Sequence, residues 1–124
     1  GSEQELASLS KVSRGIERMY EALRTDYALG LKLPALMQRS GLQQLTMEND
    51  PSLCAGASGM ATVMKMSAEQ LREKYQATGV VGRSDLERYC RFADDPNSWA
   101  VYHTAVAMSG HTAGGVRCLS LLRC

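Results

Sequence analysis

His103 interrupts an apolar run over residues 99–108 and is a candidate for acid–base chemistry. An imidazole titrates near neutral pH, so His103 would be able to polarise a carbonyl group or to move a proton. In a strand, alternation places His103 on the same face as Trp99 and Val101. The competing interpretation is a core histidine that is hydrogen-bonded to a backbone carbonyl or a tyrosine.

Two tyrosines are candidates to assist His103. Tyr20 and Tyr27 lie about two turns apart on a predicted helix, on the same face, so both hydroxyls would be available as donors to one ligand. The alternative is that each ring packs in the core with its hydroxyl at the solvent edge. We predict a catalytic set of His103, Tyr20 and Tyr27.

The chain is rich in side chains that suit an apolar ligand, with seven methionines, five tyrosines and one tryptophan. Methionine adapts to irregular shapes because its side chain is unbranched and flexible. Taken singly, each such residue at helical spacing is ordinary core. As walls of a substrate pocket we predict Trp99, Met37, Met64, Met19 and Leu23.

The cysteines and histidines predict no metal site. No C-x-x-C pair is present, and neither histidine has a ligand-like spacing to a cysteine. Free thiols in a reducing cytoplasm are the favoured interpretation. The residues concerned are Cys54, Cys90, Cys118, Cys124, His103 and His111.

Charge and hydropathy exclude two classes of partner. Fourteen basic and thirteen acidic residues leave a net charge of +1, which argues against nucleic-acid binding. No apolar run has the length of about 18 residues that a membrane span needs, and no signal peptide is evident. We expect a cytoplasmic protein in which residues 1–2 are a cloning remnant, 3–110 form a single domain, and 111–124 are a flexible tail or short extra strand.

A long amphipathic helix is predicted over residues 3–28 because its apolar residues advance by threes and fours. Gly30 is placed to end this helix. The apolar stripe also makes a homodimer through helix 3–28 possible. The stripe consists of Leu6, Leu9, Val12, Ile16, Met19, Tyr20, Leu23 and Tyr27.

A shorter helix and the first strand follow. Residues 32–40 are predicted to be helical and to end at Gly41, and residues 42–48 fit a strand. Asn49-Asp50-Pro51-Ser52 is typical of a turn. Residues 53–58 are small and polar enough to predict a loop.

The second half of the chain predicts two helices and one strand. Helix 60–77 carries a Ser67-x-x-Gln70 pattern that restarts it, and helix 84–93 opens on a capping box at Ser84. After a turn at Asp95-Pro96, the run 99–108 is apolar on both faces, which is typical of an interior strand in a covered sheet. The fold class is therefore α+β, with helices packed on a small sheet built from 42–48 and 99–108.

Three stretches together resemble a known family. They are similar to the C-terminal, substrate-lid part of class I S-adenosylmethionine-dependent methyltransferases, especially small-molecule enzymes of fungal secondary metabolism. The resemblance implies a truncated methyltransferase-like fold: a helix before a strand, a lid helix, and an Asp-Pro turn into the final strand. The stretches are Ala22-Leu23-Arg24-x-x-Tyr27-x-x-Gly30-x-Lys32-Leu33-Pro34-x-Leu36-Met37-x-x-Ser40-Gly41-Leu42, Leu71-Arg72-Glu73-x-x-x-x-Thr78-Gly79-Val80, and Asp85-Leu86-Glu87-x-x-x-x-Phe92-x-x-Asp95-Pro96-x-Ser98-Trp99-Ala100.

The chain departs from that family at the cofactor site. Nucleotide cofactors are held by a glycine-rich turn between a strand and a helix, and the nearest glycine pair, in 56–59, follows no convincing strand. We therefore expect no cofactor. The leading hypothesis is a cofactor-free enzyme that binds a hydrophobic natural-product intermediate and catalyses its cyclisation, cycloaddition of the Diels–Alder type, or isomerisation.

Two alternatives stay open. In the first, the chain is the substrate-binding half of a methyltransferase that uses S-adenosylmethionine. In the second, it is a non-catalytic oligomerisation module that buries its helical stripe against a second copy.

Overall fold

A computed structural model describes residues 2–115 and 117–123, with the side chains of Ser52, His103 and 117–123 outside the description. Its fold class is α+β, as predicted. The described elements are α1 (Glu3–Ala22), α2 (Leu29–Arg39), β1 (Gln43–Ala55), α3 (Gly59–Gln70), α4 (Arg72–Ala77), α5 (Arg83–Asp94), β2 (Trp99–His111) and β3 (Arg117–Arg123).

The chain divides into two compact units. The first comprises Gly1–Thr25 and Leu53–Tyr102, and the second comprises Asp26–Ser52 and His103–Cys124. Helices α1, α3, α4 and α5 therefore belong to the first unit, and α2 and β3 belong to the second.

Helix α1 is shorter than the sequence predicts, because it ends at Ala22 instead of continuing to residue 28. Arg24 takes a left-handed conformation, with φ of 55°. The N–H groups of Arg24 and Thr25 then donate to the carbonyls of Glu21 and Tyr20, which closes the helix in a Schellman motif. The expected glycine stop at residue 30 is therefore wrong, and Tyr27 does not share a helix with Tyr20.

The core of the first unit is formed by side chains from its helices and the segment before α5. Leu86 of α5 and Val12 of α1 are almost fully buried. Burial on this scale stabilises a protein by about 1.5–3 kcal/mol per large apolar side chain. The buried members are Val12, Met19, Ala68, Tyr75, Val81, Leu86 and Tyr89.

Helix α5 confirms the prediction over 84–93 but begins differently. Its N-cap is Gly82, whose N–H donates to the Asp85 carboxylate at 3.0 Å. The capping box predicted at Ser84 is therefore wrong, because the acidic residue one position later reaches the free N–H groups instead.

The helix predicted over 60–77 is two helices, α3 and α4, separated at Leu71. Ser67 does not restart a helix, since its hydroxyl donates to the carbonyl of Val63 one turn earlier. Gly79 follows the end of α4 with φ of 74°, and the end of α4 at Ala77 agrees with the predicted bound.

Strand β1 is longer than predicted and passes through the expected turn at 49–52 and part of the expected loop at 53–58. In the strand order β1-β2-β3, β1 lies at an edge of the described sheet. An edge strand tolerates Pro51, because a missing N–H on the outer side breaks no ladder hydrogen bond. The edge position therefore overrides the local turn signal.

Strand β2 is the central strand, and β3 pairs with it antiparallel from Ala105 opposite Arg123 to His111 opposite Arg117. The extra strand considered for the C-terminal segment is therefore present over the described residues. The prediction that this strand is covered on both faces is wrong at the start of β2, where Trp99 is 59% and Val101 51% exposed.

The second unit has a smaller described core. Met37 of α2 packs with Val106 and Met108 of β2, all of them buried. Helix α2 ends at Arg39 and is closed by Gly41, with φ of 85°, as predicted.

Candidate functional site

The first unit contains a partly open groove of about 250 Å³, named here the Trp99 groove. Its volume lies slightly below the range of about 300–1,000 Å³ that is usual for drug-sized ligands. No lining residue carries a charge. The lining residues are Leu6, Leu9, Ser13, Ile16, Met64, Tyr89, Trp99, Ala100, Val101 and Tyr102.

Helix α1 forms one wall of this groove. Its lining residues, Leu6, Leu9, Ser13 and Ile16, recur at spacings of three and four residues, so their side chains lie along one face of the helix. Ser13 is the polar member of that stripe, and its exposed hydroxyl has no hydrogen-bond partner within the described part of the chain. One hydroxyl group is therefore available to a ligand.

The opposite wall is the beginning of β2, which is positioned by the turn before it. The Ser98 side chain donates to the Phe92 carbonyl at 2.6 Å, and the Ser98 N–H donates to the Asp95 carbonyl at 2.9 Å. These bonds fix the backbone immediately before Trp99. The exposed indole is therefore carried on a rigid turn.

Two of the lining residues pack their aromatic rings against each other. Tyr89 and Tyr102 pack edge to face, with centroids 6.2 Å apart and ring planes at 88°. The Tyr102 hydroxyl is buried and has no hydrogen-bond partner among the described residues. Burial raises the pKa of the Tyr102 phenol, and the nearby Cys54 thiol group adds to that rise. Tyr102 is therefore a neutral phenol at physiological pH.

A second groove in the same unit, the Leu23 groove, has a volume of about 580 Å³ and a charged rim. Arg18 and Glu21 form an exposed ion pair across 3.6 Å. The lining residues are Arg18, Met19, Glu21, Ala22, Leu23, Lys74, Ala77 and Thr78.

The predicted pocket walls divide among three places. Trp99 and Met64 line the Trp99 groove, whereas Met19 and Leu23 line the Leu23 groove. Met37 is buried in the core of the second unit. Four of the five predicted wall residues therefore line a groove of the first unit, and their role in binding stays a prediction.

Of the predicted catalytic residues, Tyr20 and Tyr27 line neither groove. Tyr20 is half-buried against the core of the first unit. Tyr27 lies in a turn of the second unit. The backbone of His103 continues β2, but its side chain is outside the described part, so its role stays a prediction.

A buried carboxylate in the first unit was not singled out from the sequence. Asp85 accepts hydrogen bonds from Ser8 at 3.2 Å, Lys11 at 3.3 Å and Arg88 at 3.2 Å. Burial by itself raises the pKa of Asp85, but the bonds from Gly82, Arg88, Lys11 and Ser8 outweigh it, so the pKa lies below its ordinary value. The bonds from Ser8 and Lys11 tie α1 to α5, which makes the cluster a structural link.

Sequence reasoning missed several groove residues, chiefly Leu6, Ser13, Val101 and Tyr102. The available signal was the helical stripe itself, in which a lone serine occurs among apolar residues. Nothing local, however, indicated that this stripe faces the first residues of a distant strand.

The comparisons with known proteins were negative. No family model, no curated protein and no solved structure matches this chain. Among the described residues, no three histidine, cysteine or acidic side chains are grouped to hold a metal ion. None of the described helices combines the length and apolar character that crossing a bilayer requires.

Proposed function

We propose that this chain binds a hydrophobic small molecule in the Trp99 groove. The observation that carries the proposal is the lining itself: ten residues without a charge, including the predicted walls Trp99 and Met64. Exposing apolar side chains of this size to water is unfavourable, and a bound apolar ligand removes that cost. Leu6, at 57%, Trp99 and Val101 are each more than half exposed.

The reaction proposed for this site is a cofactor-free cyclisation or isomerisation of the bound molecule. Such a reaction gains from a shaped groove that holds the reacting ends together, and it needs little acid–base chemistry. The Ser13 hydroxyl is the available donor for a carbonyl oxygen.

Binding is tested through the only tryptophan of the chain, Trp99. We expect 1-anilinonaphthalene, an uncharged fluorescent probe, to quench Trp99 emission with a saturable dependence on probe concentration. A dependence of Trp99 emission on protein concentration in the absence of probe indicates self-association instead, as the oligomerisation alternative requires. An unsaturable, linear response contradicts the proposal.

A matched pair of variants locates the binding site. Val101→Asp places a charge in the groove, and Val63→Asp places the same charge on α3 at a residue that is 55% exposed and does not line the groove. Val101→Asp should abolish saturable quenching, and Val63→Asp should retain it. Equal effects of the two variants contradict the assignment of the groove.

The reaction is tested with a linear polyene that carries a diene and an activated alkene. The cyclised product, followed by chromatography, should form faster with the unmodified chain than with Val101→Asp. A rate equal to that in buffer contradicts the reaction while leaving binding intact.

The substrate-binding half of a methyltransferase is a second candidate. It is favoured by the order of elements in the three resembling stretches: α2 before β1, then α4, then α5 leading through Asp95-Pro96 into β2. Calorimetry with S-adenosylmethionine tests it. Measurable binding by the chain supports this candidate and argues against a cofactor-free reaction.

A further inference from the structure

The Trp99 groove has no charged side chain among its lining residues. From this we infer that it selects uncharged aromatic molecules over ionised molecules of the same shape. The inference rests on the proposed function, because it specifies the class of ligand that the same groove takes.

Two lysines beside groove residues are already engaged elsewhere. Lys65 follows Met64 on α3 and binds Asp94 at 2.6 Å. Lys11, on α1 between Leu9 and Ser13, binds Asp85 at 3.3 Å. An anionic ligand would therefore have to break an existing ion pair to use either lysine, and no lining residue offers it a positive charge. An unpaired charge in apolar surroundings is strongly unfavourable.

The lining also indicates which chemical features and which size an uncharged ligand needs in order to fit the groove. Trp99, Tyr89 and Tyr102 present aromatic surface, against which another aromatic ring packs favourably. The free Ser13 hydroxyl provides one hydrogen bond. The volume of about 250 Å³ suits a molecule of roughly two or three rings.

Two probes with the same skeleton test this selectivity. 8-Anilinonaphthalene-1-sulfonate differs from 1-anilinonaphthalene by one sulfonate group. We expect the anion to bind more weakly by about tenfold or more, as judged by quenching of Trp99. Equal affinities overturn the inference but leave the proposed function standing. Failure of both probes to bind overturns the proposed function, and the inference falls with it.

A charge introduced into the groove distinguishes the effect of the sulfonate's charge on binding from the effect of its size. Val101→Lys should strengthen binding of the sulfonate probe and weaken binding of the uncharged one, reversing their order. Val63→Lys, outside the lining, should leave the order unchanged. If Val101→Lys leaves the sulfonate bound as weakly as before, the selectivity is steric and the inference is wrong.

Discussion

The two units of this chain differ in how many apolar side chains their described cores bury and in where an aspartate lies. The first unit buries side chains from several helices and encloses the Asp85 carboxylate in a network of donors. In the second unit, Met37, Val106 and Met108 form the described core, and Asp26 pairs with Lys32 at the surface. The larger described core, the buried carboxylate and the Trp99 groove therefore all lie in the first unit.

The largest expected effect comes from truncating the first core. Leu86→Ala removes a buried side chain and should lower the free energy of unfolding by about 3–5 kcal/mol, measured by denaturant titration.

Met108→Ala makes a comparable cavity in the second unit. Hydrogen exchange should then show lost protection in α2 and β2 but not in α1. Equal loss of protection in α1 would show that the units unfold together.

Removing the buried charge should have the next largest effect. Asp85→Asn leaves Lys11 and Arg88 without their carboxylate and should cost about 1.5–3 kcal/mol. Because the folded-state pKa of Asp85 is lowered, its contribution is fully present above the ordinary aspartate pKa of about 3.9. That contribution is lost as the pH falls through the lower folded-state pKa.

Unfolding measured at neutral pH and again near pH 3, about one unit under that reference value, checks this sign. The difference in stability between the unmodified chain and Asp85→Asn should shrink in acid. A difference that grows on acidification contradicts the proposed role of the carboxylate.

A close backbone approach in the first unit should give an intermediate effect. A Cβ at Gly56 would overlap the Asp95 carbonyl oxygen and lie 2.6 Å from the Ser98 Oγ. Gly56→Ala should therefore cost about 1–3 kcal/mol, followed as a fall in melting temperature. Gly59→Ala is the matched control, because nothing lies within 4 Å of its Cβ position. It should leave the melting temperature unchanged or raise it.

The smallest effect is expected at the surface acid of the second unit. The hydrogen bond from Lys32, 2.6 Å away, lowers the pKa of Asp26. Solvent screens this exposed pair, so Asp26→Asn should leave the denaturation midpoint unchanged within error. A loss as large as that of Asp85→Asn would erase the contrast between the units.

Several elements follow from local sequence alone. Gly41 and Gly79 end their helices because glycine adopts the left-handed conformation without a steric cost. The turn at Asp95-Pro96 forms as expected, with the Asp95 side chain accepting from the Asn97 N–H at 2.9 Å. The apolar run after it forms the central strand of the sheet.

Other predictions failed for two different reasons. Arg24, not a glycine, closes α1 by local hydrogen bonds that its residue type does not predict, whereas Pro51 lies in a strand that pairs as the edge of a sheet with distant residues. The candidate site was only partly predictable for the second of these reasons. The sequence predicts Trp99, Met64 and Met37 alike as pocket walls, but Met37 lies in a core.

The sequence by itself determined the α+β class, most helix boundaries and the central strand, because periodicity and capping act over a few residues. Only the tertiary structure decided which face of α1 meets the start of β2, and thus where the Trp99 groove lies. That choice depends on the packing of side chains far apart in the chain, which no local pattern encodes.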